Sequence, residues 1–358
     1  MVRPPGAPMS TPLVRRLTGS LFAAALAVGL AACGSPAPTA ATTGAATATA
    51  SSQGATVSGT AVSLSAPTGS VAVTPVTPAL SITGPGGEAV TLPAKPQRIV
   101  CLTGLCDDVL VELGLAPVGT STPGLLALPE FMGANSTTVT TIPGSFGSED
   151  VESIAALKPD LVVGLAGAHD QMRSAVEQFA PLWLLDVKDW HSSVDYLRAF
   201  ATLTDRPDQQ VAAEQSFDTK LAAARAASAA GLKNTTALTM YISGGGQGVN
   251  TQDDLLGGLM GEVFTYPWPN KGGGWDTAQA YSFEEILAVD PQIVFIQSFT
   301  DGPDGPTGSQ QFANNPVWQQ VSAVKNGKVV EVDTDLWTAG RGPRSLGLVL
   351  DQAVAAAS

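Results

Sequence analysis

The chain has 358 residues, with 18 Lys+Arg against 31 Asp+Glu and a formal net charge of −13. So acidic a chain lacks the cations that phosphate contacts need, which argues against nucleic-acid binding and against electrostatic attraction to anionic lipid. Two histidines and three cysteines leave too few ligands for a clustered zinc or manganese site, and the length allows two domains of ordinary size.

Arg15 and Arg16 precede an apolar run at 21–32, and Cys33 follows. As a helix that run rises only ~18 Å, too short for a ~30 Å hydrocarbon core, and it reads as a secretory leader. Leu30-Ala31-Ala32-Cys33, followed by Gly34, resembles a bacterial lipobox. The resemblance implies cleavage before Cys33, lipidation of its thiol and new amine, and retention on the outer side of the cytoplasmic membrane or in the periplasm. The blander reading is an ordinary leader that contains a cysteine. Losing the leader's three arginines takes the formal charge to −16. Residues 34–80 carry no charge and are mostly Ala, Thr, Ser, Pro, Gly and Val. Such a segment buries too little apolar surface to offset its ordering entropy and reads as a tether. The expected organisation is leader 1–32, lipidated Cys33 and tether 33–80, first lobe 81–206, connecting helix 207–231 and second lobe 232–358.

Residues 98–103 read as the first strand, 106–113 as a helix stopped by Gly114, and 117–120 as a second strand. That order implies parallel pairing through a crossover helix. Residues 121–147 read as loop with one short helix near 126–132. A helix at 171–179, a buried strand at 182–185 and a helix at 191–203 follow. Residues 207–230 form the longest uninterrupted helix, ~36 Å, with proline in its first turn and Gly231 at its end. The rest reads as strand 236–243, a Gly-rich turn, helix 252–260, loop 268–275, loop 301–308, helix 316–324, strand 328–332 and helix 345–357. After export Cys101 and Cys106 either bridge or remain two buried thiols.

One stretch occurs twice. Residues 150–163 align without a gap on 282–295, so that Glu152 falls on Glu284, Ile154 on Ile286, Pro159 on Pro291 and Val162 on Val294. Each copy reads as a short amphipathic helix, with Asp150 or Ser282 as N-cap, stopped by proline and running into a buried strand. Ser282 with Glu285 makes a capping box. Two equivalent helix–strand units, one on each side of a long helix, predict an α/β protein of two similar lobes with mainly parallel sheets.

These residues resemble the periplasmic-binding family of importers for iron-siderophores, heme and cobalamin. The resemblance rests on Ile99-Val-Cys-Leu102, Glu112-Leu-Gly-Leu-Ala-Pro-Val-Gly119, Leu157-Lys-Pro-Asp-Leu-Val-Val163, residues 283–291 and 321–332, and Gly342-Pro-Arg344. It implies two lobes joined by one long helix, a ligand cleft between them, no catalysis and no resident cofactor. The implied partners are a permease dimer and an ATPase, with the receptor itself a monomer. The implied cargo is a ferric siderophore, with cobalamin and heme as alternatives. Glu152 and Glu284 match the family's two lobe-surface glutamates, which meet permease arginines; as a bland alternative they are first-turn acids favoured by the helix dipole. Glu149 and Glu285 are neighbours able to substitute.

The cleft is expected where loops leave the strands. Candidates are Thr103, Leu105, Thr122 and His169 in the first lobe, and Tyr241, Ser243, Gln247, Trp275, Ser298, Trp337, Arg341 and Arg344 in the second. Aromatic faces and arginines suit a large anionic chelate whose iron is already saturated. The bland alternatives are a structural ion pair for Arg344, a solvated loop for Arg341 and core for the tryptophans. His169 is a candidate heme ligand, with Met172 or Tyr241 as a second, against the commoner solvated loop histidine. No Gly-x-Ser-x-Gly elbow surrounds a serine, and the glycines at 244–248 miss dinucleotide spacing, so an enzyme is not indicated. A non-transport surface lipoprotein is the reading from another class.

Overall fold

The computed structural model describes residues 72–133, 139–243, 246–272, 280–299 and 305–358, all within one compact unit. Cys33, the leader, the tether to residue 71, Trp275 and the tip of the 301–308 loop lie outside the described residues.

The first lobe opens with an antiparallel hairpin, β1 (Ser81–Thr83) and β2 (Ala89–Thr91). Then come β3 (Ile99–Cys101), α1 (Gly104–Glu112), β4 (Gly119–Thr120), α2 (Pro123–Ala127), α3 (Pro129–Met132) and β5 (Thr140–Thr141). A small hairpin, β6 (Gly144–Ser145) and β7 (Ser148–Glu149), leads into α4 (Val151–Ala156), β8 (Leu161–Leu165), α5 (Arg173–Val176), β9 (Leu182–Leu185) and α6 (Trp190–Thr204). Strands β5-β4-β3-β8-β9 form a five-stranded sheet, parallel throughout. The second lobe holds β10 (Ala237–Ser243), β11 (Gly246–Val249), α8 (Leu255–Gly261), α9 (Phe283–Val289), β12 (Ile293–Ser298), α10 (Gly308–Phe312), α11 (Ser322–Lys325) and β13 (Val329–Val332). Its sheet runs β11-β10-β12-β13, with β11 antiparallel and the rest parallel. Between the lobes lies α7 (Pro207–Ala230), and a π-turn (Asp335–Ala339) precedes the last helix, α12 (Pro343–Ala357).

The repeated units are α4–β8 and α9–β12, and they sit in separate sheets. Both N-caps form as expected: Asp150 accepts from Ser153 N at 3.1 Å, and Ser282 with Glu285 closes a capping box. The equivalence extends to the backbone. Lys158 and Asp290 occupy matching positions and both take left-handed conformations, at φ 49° and 54°. The cause is shared: a following proline crowds the right-handed conformation of the residue before it, so the helix ends there.

The five-stranded sheet is covered on both faces. Val100, Leu102, Val162 and Leu184 pack with Ile142, Ile154, Met172 and Val176 on the α4–α5 face. Cys101, Leu161, Val163 and Trp183 pack with Leu105, Val109, Leu197 and Phe200 on the α1–α6 face. A third cluster joins the second sheet to α7 and α12 and also takes in Leu125, Leu126, Phe131 and Met132 from α2 and α3.

Some elements depart from the sequence reading. Among the described residues, the stretch 121–147 holds two helices and two short strands rather than one helix in a loop. The expected helix at 171–179 is a 3-10 turn followed by α5, and that at 316–324 breaks between a 3-10 turn and α11. Residues 74–79, tether by composition, lie on the body. Ala79 N–H donates to Thr202 O at 3.2 Å, Val76 N–H to Gln210 Oε1 at 3.0 Å, and Arg198 reaches Thr74 O at 3.4 Å. Their backbone bonds are indifferent to side-chain type, so composition did not report them. The β1–β2 hairpin is held by Glu88, whose Oε1 accepts from Trp183 Nε1 at 3.2 Å and Tyr196 Oη at 2.7 Å.

Cys101 and Cys106 are bridged and fully buried, linking the end of β3 to the first turn of α1. Replacing both by alanine should lower the free energy of unfolding by about 2 kcal/mol, the loop-entropy contribution of so short a closed ring. Denaturant melts of the two forms measure it, and equal midpoints would remove the bridge's stabilising role.

Candidate functional site

The β3–α1 turn is built on buried polar groups. Thr103 caps α1, accepting from Leu105 N at 3.4 Å. Gly104 leaves no room for a side chain, because a Cβ there would strike Ala339 O. Asp107 is wholly buried, and its Oδ2 accepts from Thr120 Oγ1 at 2.6 Å and Thr122 Oγ1 at 2.5 Å, tying the β4–α2 loop to α1. Its Oδ1 has no hydrogen-bond partner among the described residues. Thr103 and Thr122, both expected in the cleft, therefore stand at the carboxyl ends of β3 and β4 with their hydroxyls engaged by the protein.

The next residue joins the lobes. Asp108 Oδ1 accepts from Arg344 N at 3.1 Å; its Oδ2 accepts from Ser345 N at 2.8 Å and from the Ser345 hydroxyl. A carboxylate on α1 thus caps the first turn of α12, where free N–H groups and the helix dipole favour negative charge. Arg344 Nε pairs with Glu112 Oε1 at 2.8 Å, and Nη1 donates to Phe131 O at 2.8 Å. Arg344 is therefore engaged at the junction, in the structural ion pair that was the alternative to a cargo contact.

Trp337 also departs from expectation. It is 2 % exposed, stacks on Phe295 at 5.0 Å and donates Nε1 to Gln352 Oε1 at 2.7 Å. Its ring belongs to the second-lobe core and offers no face to a ligand. Ser298 is engaged by Glu331 and by Gly308 N–H. Tyr241 is half-buried with its ring across Gly248, and Gln247 donates to Tyr281 O at 3.3 Å. Ser243 ends β10, paired with Gly246.

Arg341 stands apart. Its carbonyl accepts from the Ser193 hydroxyl at the start of α6, and its guanidinium senses Asp254, the N-cap of α8. It therefore lies between the starts of α6 in the first lobe and α8 in the second. It is half-buried, and its guanidinium makes no hydrogen bond or ion pair among the described residues. Burial pulls its pKa down while Asp254 raises it. Burial likewise pushes the Asp254 carboxyl up to about 6, opposed by bonds from Gly257 N and Thr251 N and by Arg341.

His169 is fully buried, which overturns its reading as a heme ligand or solvated loop residue. Leu165 N–H donates to its Nδ1 at 2.9 Å, and its Nε2 donates to Glu149 Oε1 at 3.2 Å. Neither nitrogen faces outward. Glu152 and Glu284, by contrast, are exposed on the first turns of α4 and α9, and their carboxylates make no ion pair or hydrogen bond among the described residues. Their neighbours differ: Glu149 is buried against His169, and Glu285 is bound to Lys271 and the capping box.

The residues missed from sequence are Asp107, Asp108, Glu112 and Glu88. Adjacent acids inside the apolar pattern of 105–113 were a signal, since buried carboxylates need partners.

A sequence profile of the family described as Periplasmic binding protein matches residues 99–336. The chain is 25% identical over 261 residues to the Fe(3+)-citrate-binding protein YfmC of Bacillus subtilis (strain 168), covering 71% of this chain and 79% of that one. It is 25% identical over 260 residues to the Fe(3+) dicitrate-binding periplasmic protein FecB of Escherichia coli (strain K12), covering 70% and 82%. Among solved structures, the petrobactin-binding protein YclQ of Bacillus subtilis aligns with a TM-score of 0.63 at 20% identity, covering 77% of this chain and 97% of that one.

The two buried aspartates generate a pH dependence. Burial pushes Asp107 and Asp108 from 3.8 up to about 7, against the bonds from Thr120 and Thr122 and from Ser345 and Arg344. The folded chain then holds protons that the unfolded chain has released, so the stability these two groups contribute falls as pH rises from about 4 to about 7 and is level outside that window. Thermal melts across it should slope downward, and Asp107→Asn should flatten the slope. An unchanged slope in the variant would show that Asp107 does not titrate there.

Proposed function

Since the chain belongs to the periplasmic binding protein family, a family of solute receptors rather than enzymes, we propose that it captures a ferric chelate and delivers it to the permease and ATPase of an ABC importer. The observation that carries this reading is Arg341, a half-buried guanidinium close enough to Asp254 to feel its charge but with no hydrogen bond or ion pair among the described residues. A cation so placed is costly unless a ligand meets it, and an anionic iron complex supplies the missing charge. Relatives named for ferric citrate and siderophore binding support that cargo class. Ferric siderophore or ferric citrate is the first choice and cobalamin the second. Heme drops behind both, because His169 has both nitrogens engaged inside the first lobe.

Glu152 and Glu284, one per lobe and unpaired among the described residues, are the docking carboxylates for permease arginines. Cys33 is the lipid-anchor site that keeps the exported receptor at the membrane, where it works as a monomer.

Tryptophan-fluorescence titration with ferric citrate, hydroxamate and catecholate chelates, cobalamin and hemin tests the cargo. Saturable quenching by at least one ferric chelate is expected, weakened at least about tenfold in Arg341→Ala, the loss of a charge-assisted bond, with an unchanged melting temperature. Quenching by no iron complex, or one indifferent to Arg341, would sink the reading. For docking, the double variant Glu152→Lys/Glu284→Lys should abolish uptake of radioactive iron in cells while binding cargo as tightly as the parent; normal uptake would remove that role.

A further inference from the structure

Arg341 and Asp254 belong to separate segments of the second lobe, and buried contacts fix one segment against the other. Gln297 on β12 is 1 % exposed and uses both ends of its amide. Its Oε1 accepts from Thr338 Oγ1, in the turn just before Arg341. Its Nε2 donates to Asn250 Oδ1 at 2.8 Å, in the loop just before Asp254. The start of α6 spans the same two segments from the first lobe. The Ser193 hydroxyl donates to Arg341 O, and a Cβ on Gly258 of α8 would lie 3.4 Å from the Trp190 ring. Asp254 itself is tied down: its Oδ2 accepts from Thr251 N at 2.6 Å and its Oδ1 from Gly257 N at 2.7 Å. With both oxygens aimed by the first turn of α8, the carboxylate cannot swing over to the guanidinium. The two groups act on each other's charge, yet they close no ion pair among the described residues. Both are half-buried, so water screens that interaction only in part.

We propose that Asp254 is a specificity-determining residue: a fixed counter-charge that holds Arg341's grip on an anionic cargo below full strength. This rests on Arg341 being the cargo cation. An anion that reaches the guanidinium must also approach the carboxylate, and like charges in a partly dry site repel. The helix does not need the charge. An N-cap requires a side-chain oxygen, and Asn or Ser supplies one as well as Asp does. Nor does the helix dipole account for it, because burial outweighs the dipole and the cap bonds and raises the carboxyl to about 6. A neutral cap would therefore be the cheaper choice for the fold alone. The gain lies in delivery. Affinity differences at one site fall mostly in the dissociation rate, so a restrained grip lets a receptor surrender its cargo faster.

The test is a tryptophan-fluorescence titration of the full-length receptor at pH 7.5, where Asp254 is ionised. Ferric citrate and a ferric catecholate are the anionic probes, and ferrichrome is the uncharged one. Asp254→Asn and Asp254→Ser each keep a cap and remove the charge, so the result does not hang on one variant folding. Whichever anionic chelate the parent binds should bind both variants about fivefold more tightly, the scale of one like charge removed at a partly solvated site. The gain should appear as slower dissociation in stopped flow, and ferrichrome should bind no better than to the parent. Parental or weaker binding of the anionic chelates by a variant that folds would overturn the inference. Equal tightening of ferrichrome would overturn it too, since an uncharged ligand does not feel the carboxylate. Arg341→Ala separates the two readings. If it weakens the anionic chelates while the Asp254 variants fail to tighten them, the counter-charge alone fails. If it leaves them at parental affinity, the role of Arg341 fails and the counter-charge falls with it. A parent that binds neither anionic chelate removes both.

Discussion

The carboxylate of Asp108, buried in α1, accepts bonds from Arg344 N, Ser345 N and the Ser345 hydroxyl at the start of α12. The rest of the molecule's layout depends on this contact, because it joins chain segments more than 230 residues apart. A buried carboxylate is tolerated only where donors surround it, and a helix amino end supplies them with a dipole of favourable sign. Leaving a buried hydrogen-bonding group without its partner typically costs about 1–3 kcal/mol, and more where the group is charged. Glycine is required at Gly342 for a related reason: a Cβ there would strike the Asp108 carboxyl.

Around this contact the lobes share their packing. Side chains from α2 and α3 of the first lobe belong to the same apolar cluster as α7, α12 and the second sheet. Arg344 adds a bond to Glu112 and another to the Phe131 carbonyl. The connection is therefore more than the single rod of α7. Interdigitated side chains resist sliding, because close-packed interiors have few voids into which to shift.

The polar residues near the strand ends divide by what they meet. Asp107, Asp108, Arg344 and His169 are satisfied chiefly by other parts of the chain and build the scaffold. Arg341, Glu152 and Glu284 reach partial or full exposure with no such partners among the described residues. That contrast carries the functional reading more firmly than residue type, since two arginines three positions apart fall on opposite sides of it.

The sequence by itself determined the parts governed by local chemistry. The repeated helix–strand unit, its caps, its proline stops and the length of α7 all follow from short-range rules of hydrogen bonding and sterics, and each is visible in a few consecutive residues. The pairing of Glu152 with Glu284 was legible for the same reason, as was the existence of two sheets. Only the tertiary structure decided which polar side chains find partners. His169 looked like a loop residue until Gly164 made room for its ring and Glu149 met its nitrogen. Trp337 looked like an edge until it stacked on Phe295. Asp108 gave little sign of its role, because the helix it caps lies at the far end of the chain. Burial and long-range pairing depend on how distant segments pack, and a linear string carries no direct record of that.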